Sequence, residues 1–307
     1  MIFRPAILAL LLASTANFAI VLAAAPFAVQ LLRRWNLASG SELQLRLERR
    51  TYLVSTLLAL ILVTQLFSLL LYVLNAGDMA PLFVGAMCAV GTLNADAFGF
   101  PALWAQIAVF FLAFLWLVLH HADSLAPDYP LHRLKYALLL VLTPLFAATI
   151  FLELRYFLNL HPDVLTSCCS RIFNSGRGYS ADLAALPPRA ALTGFYGSVL
   201  LALASAAYTV IRRRGGTILA LTSTAAFAAT LAAIVSVISL YVYEHPNHHC
   251  PFCLLNPDYS FQGYWLYIPL FAATACGLSA GAVQLLARAP SLAEIRPRLT
   301  SRLAAVA

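Results

Sequence analysis

Residues Thr51–Leu74 read TYLVSTLLALILVTQLFSLLLYVL, with no charged side chain anywhere in the run. At 1.5 Å per residue, a helix of that length crosses a hydrocarbon core of about 30 Å. Inside lipid every backbone N–H and C=O needs an internal partner, and a helix supplies them within one segment. Six further runs have the same character: Pro5–Leu32, Ala102–His120, Tyr136–Leu158, Ala191–Ile211, Thr217–Tyr243 and Trp265–Leu286. The expected fold is therefore all-α, a polytopic integral membrane protein with about seven transmembrane helices. Pro144 lies inside the fourth run and predicts a kink there.

Composition points the same way. Apolar residues make up 62% of the chain and charged ones 10%, against about 45–50% and 25% in an ordinary soluble domain. A water-soluble globule cannot hide that excess. The net charge of +7 sits on residues between the apolar runs, which reads as topology and contact with anionic lipid and argues against a nucleic-acid partner. Calling Arg33–Arg50 the inner side gathers 14 of the 19 basic residues on that side by alternation. The positive-inside rule then predicts an extracytoplasmic N-terminus and a cytoplasmic C-terminus. Arginine outnumbers lysine 18 to 1, a usage that suggests a GC-rich bacterium and hence an inner (plasma) membrane. The first run exceeds a signal-peptide h-region of about 7–15 residues, so it is expected to stay as a span.

Three segments fall outside: 75–101, 159–189 and 244–264. None is long enough for a core of its own, so residues 1–307 are expected to form a single transmembrane domain with short structured extracytoplasmic segments. Trp104, Tyr241, Tyr243, Tyr264, Trp265 and Tyr267 lie near the outer ends of spans, as an aromatic belt does. Within spans, Asn17, Gln65 and Gln106 are read as interhelical hydrogen-bonding residues. Glu153 and Arg155 are costly in lipid and point to a polar cavity or to snorkelling. His120 and His121 read as interfacial polar caps.

The reactive side chains concentrate in the outer segments. Cys276, inside the last span, reads as a small packing residue. Cys88, Cys168, Cys169, Cys250 and Cys253 come from three different outer segments and are expected to converge on one site. In an oxidising compartment some of them can equally be structural disulfides. The sharpest local signal is His245–Cys253, HPNHHCPFC. Cys250 and Cys253 form a C-x-x-C pair, and His248 and His249 beside it can favour the thiolate, which is both nucleophile and metal ligand. The same nine residues offer His245, His248, His249, Cys250 and Cys253 as a metal-binding set, with thiolate and imidazole suited to zinc or copper. A covalent c-type haem is disfavoured because Leu254 stands where C-x-x-C-H needs histidine.

The CPFC tetrapeptide resembles the C-P-x-C active sites of glutaredoxin-like thiol oxidoreductases. The placement of a C-x-x-C and loop cysteines outside a helical membrane core resembles, in logic, the DsbB and vitamin K epoxide reductase families. That resemblance implies a quinone acceptor behind Cys250 and Cys253, with Cys88 and Cys168 or Cys169 exchanging with a periplasmic thiol protein. Here about ten polar or aromatic residues separate Cys253 from the next span, where those families begin the span at the motif. Three functions follow. The first is a membrane thiol–disulfide oxidoreductase or electron-transfer protein. The second is a membrane protein handling copper, zinc or haem, with a metal-carrier partner. The third is a transporter or permease subunit with structural disulfides. No G-x-x-x-x-G-K-[ST] motif is present, so an ATPase would be a separate chain.

Overall fold

The computed structural model describes residues 3–36, 41–161, 186–245, 248–287 and 289–307. The described residues are all-helical, without strands, and seven helices are long and apolar enough to cross a membrane. They are α1 (Pro5–Arg34), α2 (Glu42–Asp78), α4 (Gly99–Ser124), α5 (His132–Asn159), α6 (Pro188–Arg212), α7 (Gly216–Tyr243) and α8 (Gln262–Leu286). A five-residue α3 (Ala89–Leu93) precedes α4, and α9 (Ile295–Val306) closes the chain. The spans run longer than the apolar runs alone. Thus α2 starts at Glu42 rather than Thr51, and its 37 residues reach about 55 Å. Its first turns are polar, with Arg46 paired to Glu42 at 2.5 Å one turn back. The helix α5 continues through Pro144.

The lipid-facing surface is visible in the exposure pattern. Leu60, Phe67, Leu200, Leu201 and Leu221 are each more than 60% exposed. Large apolar side chains in such numbers are the outward faces of membrane helices.

The chain divides into two compact units. One comprises Met1–Tyr72, Phe100–Asn159 and Leu286–Arg296. In it α1 packs along α5, around a core that includes Leu31, Leu58, Leu62, Trp116, Tyr136 and Phe146. The three amides at Asn17, Gln65 and Gln106 bridge α1, α2 and α4. Asn17 Nδ2 donates to Gln65 Oε1 at 2.9 Å, and Gln65 Nε2 donates to Gln106 Oε1 at 3.1 Å. At the α4–α5 connection a polar trio built on the Asp123–Lys135 ion pair is buried. Asp123 Oδ2 accepts from Lys135 Nζ and His132 Nδ1, both at 2.7 Å, and its Oδ1 accepts from Leu131 N–H at 2.7 Å. Lys135 is therefore a buried ion-pair partner, with Nζ also 3.4 Å from His120 Nδ1. It is one of the 14 basic residues that alternation places on the inner side, and the structure buries it against Asp123. His120 itself stacks on Trp116 at 5.1 Å.

The second unit comprises Val73–Gly99, Leu160–Leu285 and Pro297–Ala307. Here α6 and α7 pack as a hairpin, turning through Arg213 and Gly215 at positive φ. A Cβ on Gly277 of α8 would lie 2.2 Å from Ser223 Oγ of α7. Glycine at that position lets the two helices approach closely. One stretch of α7, Ile234–Ile238, is π-helical. Within it the Val235 carbonyl accepts from the Ser239 hydroxyl at 3.2 Å and is also used by the site described next.

Candidate functional site

The site belongs to the second unit and is built from two loops. The first descends from α2 through a turn at Gly85, whose φ of 92° suits glycine alone. It delivers Cys88 in an extended conformation immediately before α3. The second loop leaves α7 at Glu244, where φ is 52°, and rejoins the membrane helices after Ser260 and Phe261, at 53° and 55°. Left-handed residues thus bound the cysteine loop on both sides. Between them, Pro251 and Phe252 make the turn that brings Cys250 and Cys253 to one side, and Cys253–Leu255 continues as a 3-10 turn.

Four polar contacts fix this loop. The Tyr243 hydroxyl donates to the Cys250 carbonyl at 2.5 Å, and the Tyr267 hydroxyl donates to the Pro251 carbonyl at 2.9 Å. His249 Nδ1 lies 2.9 Å from the Val235 carbonyl in the π-helical stretch. A carbonyl only accepts, so Nδ1 is the donor in this contact. Asn256 Nδ2 donates to the Met87 carbonyl at 3.2 Å and ties the two loops together. Gly263 of α8 backs the turn, since a Cβ there would lie 2.7 Å from Leu255 and 3.0 Å from the Leu254 backbone.

The result is a cluster of three buried thiols. The sulfurs of Cys88, Cys250 and Cys253 all lie within 4.8 Å of one another. Cys88 Sγ is 3.4 Å from Cys250 Sγ, although 162 residues separate them. The three side chains are 1%, 0% and 2% exposed. At the edge of the cluster His248 Nε2 approaches Cys253 Sγ at 3.3 Å, and the imidazole packs on the Tyr243 ring at 4.3 Å between centroids. Burial holds His248 below the usual histidine range, partly opposed by the nearby Cys88. The neutral imidazole that results is the form that coordinates metals. Burial together with the neighbouring Cys253 keeps the Tyr259 phenol above its usual range, so it stays neutral.

Of the nine-residue sequence motif, then, Cys250 and Cys253 meet at one point with Cys88, and His248 touches the cluster through Cys253. His249 turns instead to the π-helical carbonyl of Val235, and His245 lies at the start of the loop, its carbonyl accepting from His248 N–H at 3.3 Å. Cys168 and Cys169 lie outside the described residues. Cys276 sits within α8. Among the described residues no disulfide joins these four cysteines. Tyr243 and Tyr267 read from sequence as belt residues, yet both use their hydroxyls on the cysteine loop. Tyr241 and Trp265, at 85% and 82% exposed, keep the lipid-interface character. No sequence pattern separates these two kinds of aromatic residue, because the distinction is which helix face each occupies.

A cleft of about 470 Å³ lies beside the cluster. Its lining includes Gly77, Asp78, Met87, Phe252, Asn256 and Asp258. Met87 precedes Cys88 and Phe252 precedes Cys253, so the cleft reaches the immediate neighbours of two of the three thiols.

No protein family, curated protein or solved structure matches the chain.

Proposed function

We propose that this integral membrane protein binds a thiophilic metal ion, Zn(II) or Cu(I), through the thiolates of Cys88, Cys250 and Cys253 with His248 as a fourth ligand. The observation that carries the reading is the grouping of three buried sulfurs within 4.8 Å. A tetrahedral zinc with Zn–S bonds of about 2.3 Å needs sulfurs about 3.8 Å apart, and an imidazole nitrogen about 3.6 Å from each sulfur. The Cys88–Cys250 separation of 3.4 Å is close to the first value, whereas His248 Nε2, 3.3 Å from Cys253 Sγ, lies outside the 4.8 Å grouping of the three sulfurs and has to turn inward to complete the set. Thiolates buried in apolar surroundings are unfavourable unless a cation accompanies them, and a soft metal supplies that charge. The adjacent cleft gives a metal-carrier protein a way to the ligand loops.

A second reading, thiol–disulfide exchange, is favoured by one distance. Cys88 and Cys250 are close enough to oxidise to a disulfide with little movement. That oxidation releases two electrons and two protons, which would reduce one quinone to quinol. Cys253 thiolate could then attack Cys250, release Cys88 and carry the disulfide into the C-x-x-C pair. Near-complete burial of the sulfurs ranks this second, since exchange with a soluble thiol protein needs an accessible sulfur.

One experiment separates the two. The purified protein is analysed for metal and, after rapid acid quench, for thiol state. The metal reading expects on the order of one zinc or copper per chain with fully reduced thiols, and loss of metal in Cys250→Ser. A metal-free protein in which Cys250 alternates between thiol and disulfide sinks it and promotes the exchange reading.

The membrane is proposed to be a bacterial inner membrane, with the cysteine loops periplasmic. The basic-residue asymmetry supports this orientation. Phe3→Cys should react with an impermeant maleimide on intact spheroplasts, and Val306→Cys only after rupture. The reverse pattern would invert the topology. Both positions are well exposed.

A further inference from the structure

The first unit contains a carboxyl group that the metal site does not use. Glu153 lies toward the C-terminal end of the apolar run of α5, completely buried. Its Oε1 accepts from Gln106 Nε2, the last donor of the row that begins at Asn17 and passes through Gln65. All three amides are oriented the same way, each donating toward the carboxyl. Thr64 Oγ1 closes the far end by donating to Asn17 Oδ1 at 3.3 Å. Four spans, α1, α2, α4 and α5, thus contribute to a single buried row ending at one acid.

The hydrogen-bond count favours a particular form of that acid. An ionised carboxylate presents two oxygens and about four lone-pair sites that need donors. Glu153 receives one donor, on Oε1, and its Oε2 has no hydrogen-bond partner among the described residues. Among the described residues no lysine, arginine or histidine pairs with it. The groups facing it are the Gln106 amide and the Ser14 hydroxyl of α1, neither of which titrates. The buried Ser14 hydroxyl likewise has no hydrogen-bond partner among the described residues. A neutral acid fits this surrounding. Oε1 accepts from Gln106, and the Ser14 hydroxyl is the other polar group beside the carboxyl.

We propose that Glu153 is a proton-binding site within the membrane bundle, loaded in the closed bundle described here and exchanging its proton with water when α1 and α5 separate locally. The step is acid dissociation alone. The O–H bond at Oε2 breaks, the proton passes to water, and the electron pair stays on the carboxylate. Amides do not relay protons, so the Asn17–Gln65–Gln106 row positions the acid and is not a conduction path. In the closed bundle the ionised form has only the Gln106 amide and the Ser14 hydroxyl beside it, fewer donors than a carboxylate needs, so deprotonation favours an arrangement that admits water around Oε2. Proton occupancy and helix packing are thereby linked. The inference is independent of the metal reading, because every residue it names lies in the other unit.

The test is infrared difference spectroscopy of the full-length protein in lipid nanodiscs, titrated from mildly acidic to alkaline pH. The marker is the carbonyl stretch of a protonated carboxylic acid. A band that shifts in D2O, fades as pH rises and is missing from Glu153→Gln supports the proposal. Glu153→Gln keeps the shape and the acceptor toward Gln106. If that variant does not fold, site-specific modification by a hydrophobic carbodiimide in the unaltered protein, strong at low pH and lost at high pH, gives the same reading. Two results overturn it. One is absence of the protonated band at every pH, which makes Glu153 a permanent anion. The other is a band that never titrates or exchanges, which makes it a structural acid.

Discussion

The buried trio of Asp123, His132 and Lys135 and the buried cluster of Cys88, Cys250, Cys253 and His248 are both polar sets enclosed by apolar surroundings, yet they differ in kind. In the trio, charges answer one another. Both oxygens of Asp123 accept hydrogen bonds, two of them from side chains at 2.7 Å. Such a set is paired around its carboxylate and reads as a clamp between α4 and α5, with only His132 Nε2 lacking a hydrogen-bond partner among the described residues. In the cluster, by contrast, three soft donors of the same sign when ionised are brought to one point. Like charges are gathered there by loops anchored on three sides, an arrangement that a cation stabilises. The comparison separates burial that closes an interaction from burial that prepares one.

The largest expected effect breaks the second set. Cys250→Ser should lower bound metal from stoichiometric to near zero, while Cys276→Ser should leave it unchanged. Metal analysis of the two purified variants decides this, and equal metal content in both would remove the cluster from consideration. Breaking the first set should act on folding alone. Lys135→Ala leaves a buried aspartate beside a single histidine and should cost about 3–5 kcal/mol. It should lower thermal stability in detergent without changing metal stoichiometry. A variant as stable as the parent would show that the ion pair contributes nothing.

His248→Ala sharpens the comparison by removing one ligand of four. Metal affinity, read by chelator competition, should fall on the order of 10- to 100-fold, short of the complete loss expected at Cys250. Unchanged affinity would place His248 outside the coordination sphere. Gly263→Ala tests the packing behind the cysteine turn, where the new methyl meets Leu255 and the Leu254 backbone. About 1–3 kcal/mol of strain is expected, seen as lower stability and weaker metal retention together.

The smallest effect is in pH. His248 is held below the ordinary histidine value of 6.5, chiefly by burial. The folded, metal-free protein therefore resists protonation there more than the unfolded chain does. Its contribution to stability is intact above 6.5 and is progressively lost as pH falls below that value. Denaturation of the metal-free protein across that range should show a slope that His248→Gln reduces. A slope unchanged in the variant would assign it to other groups.

The sequence by itself determined the membrane character and the number of spans. Hydrophobic transfer and the need to satisfy the backbone in lipid act locally, on runs such as Thr51–Leu74, and leave little freedom. It also singled out HPNHHCPFC, because C-x-x-C with adjacent histidines is a local pattern. It separated the three amides Asn17, Gln65 and Gln106 as interhelical contacts, since unpaired amides in lipid are costly. Tertiary structure alone decided the rest. Cys88 joins Cys250 only because two loops 162 residues apart are clipped together at Asn256 and Met87. Lys135 finds Asp123 because a short connection folds α5 back on α4, a contact hidden behind what reads as a topogenic charge. Tyr243 and Tyr267 leave the aromatic belt for the cysteine loop because of the faces they occupy on α7 and α8. In each case the physical reason is the same. The burial preference of a segment is written in its own residues, whereas the partner of a polar side chain is chosen by the packing of segments far away in sequence.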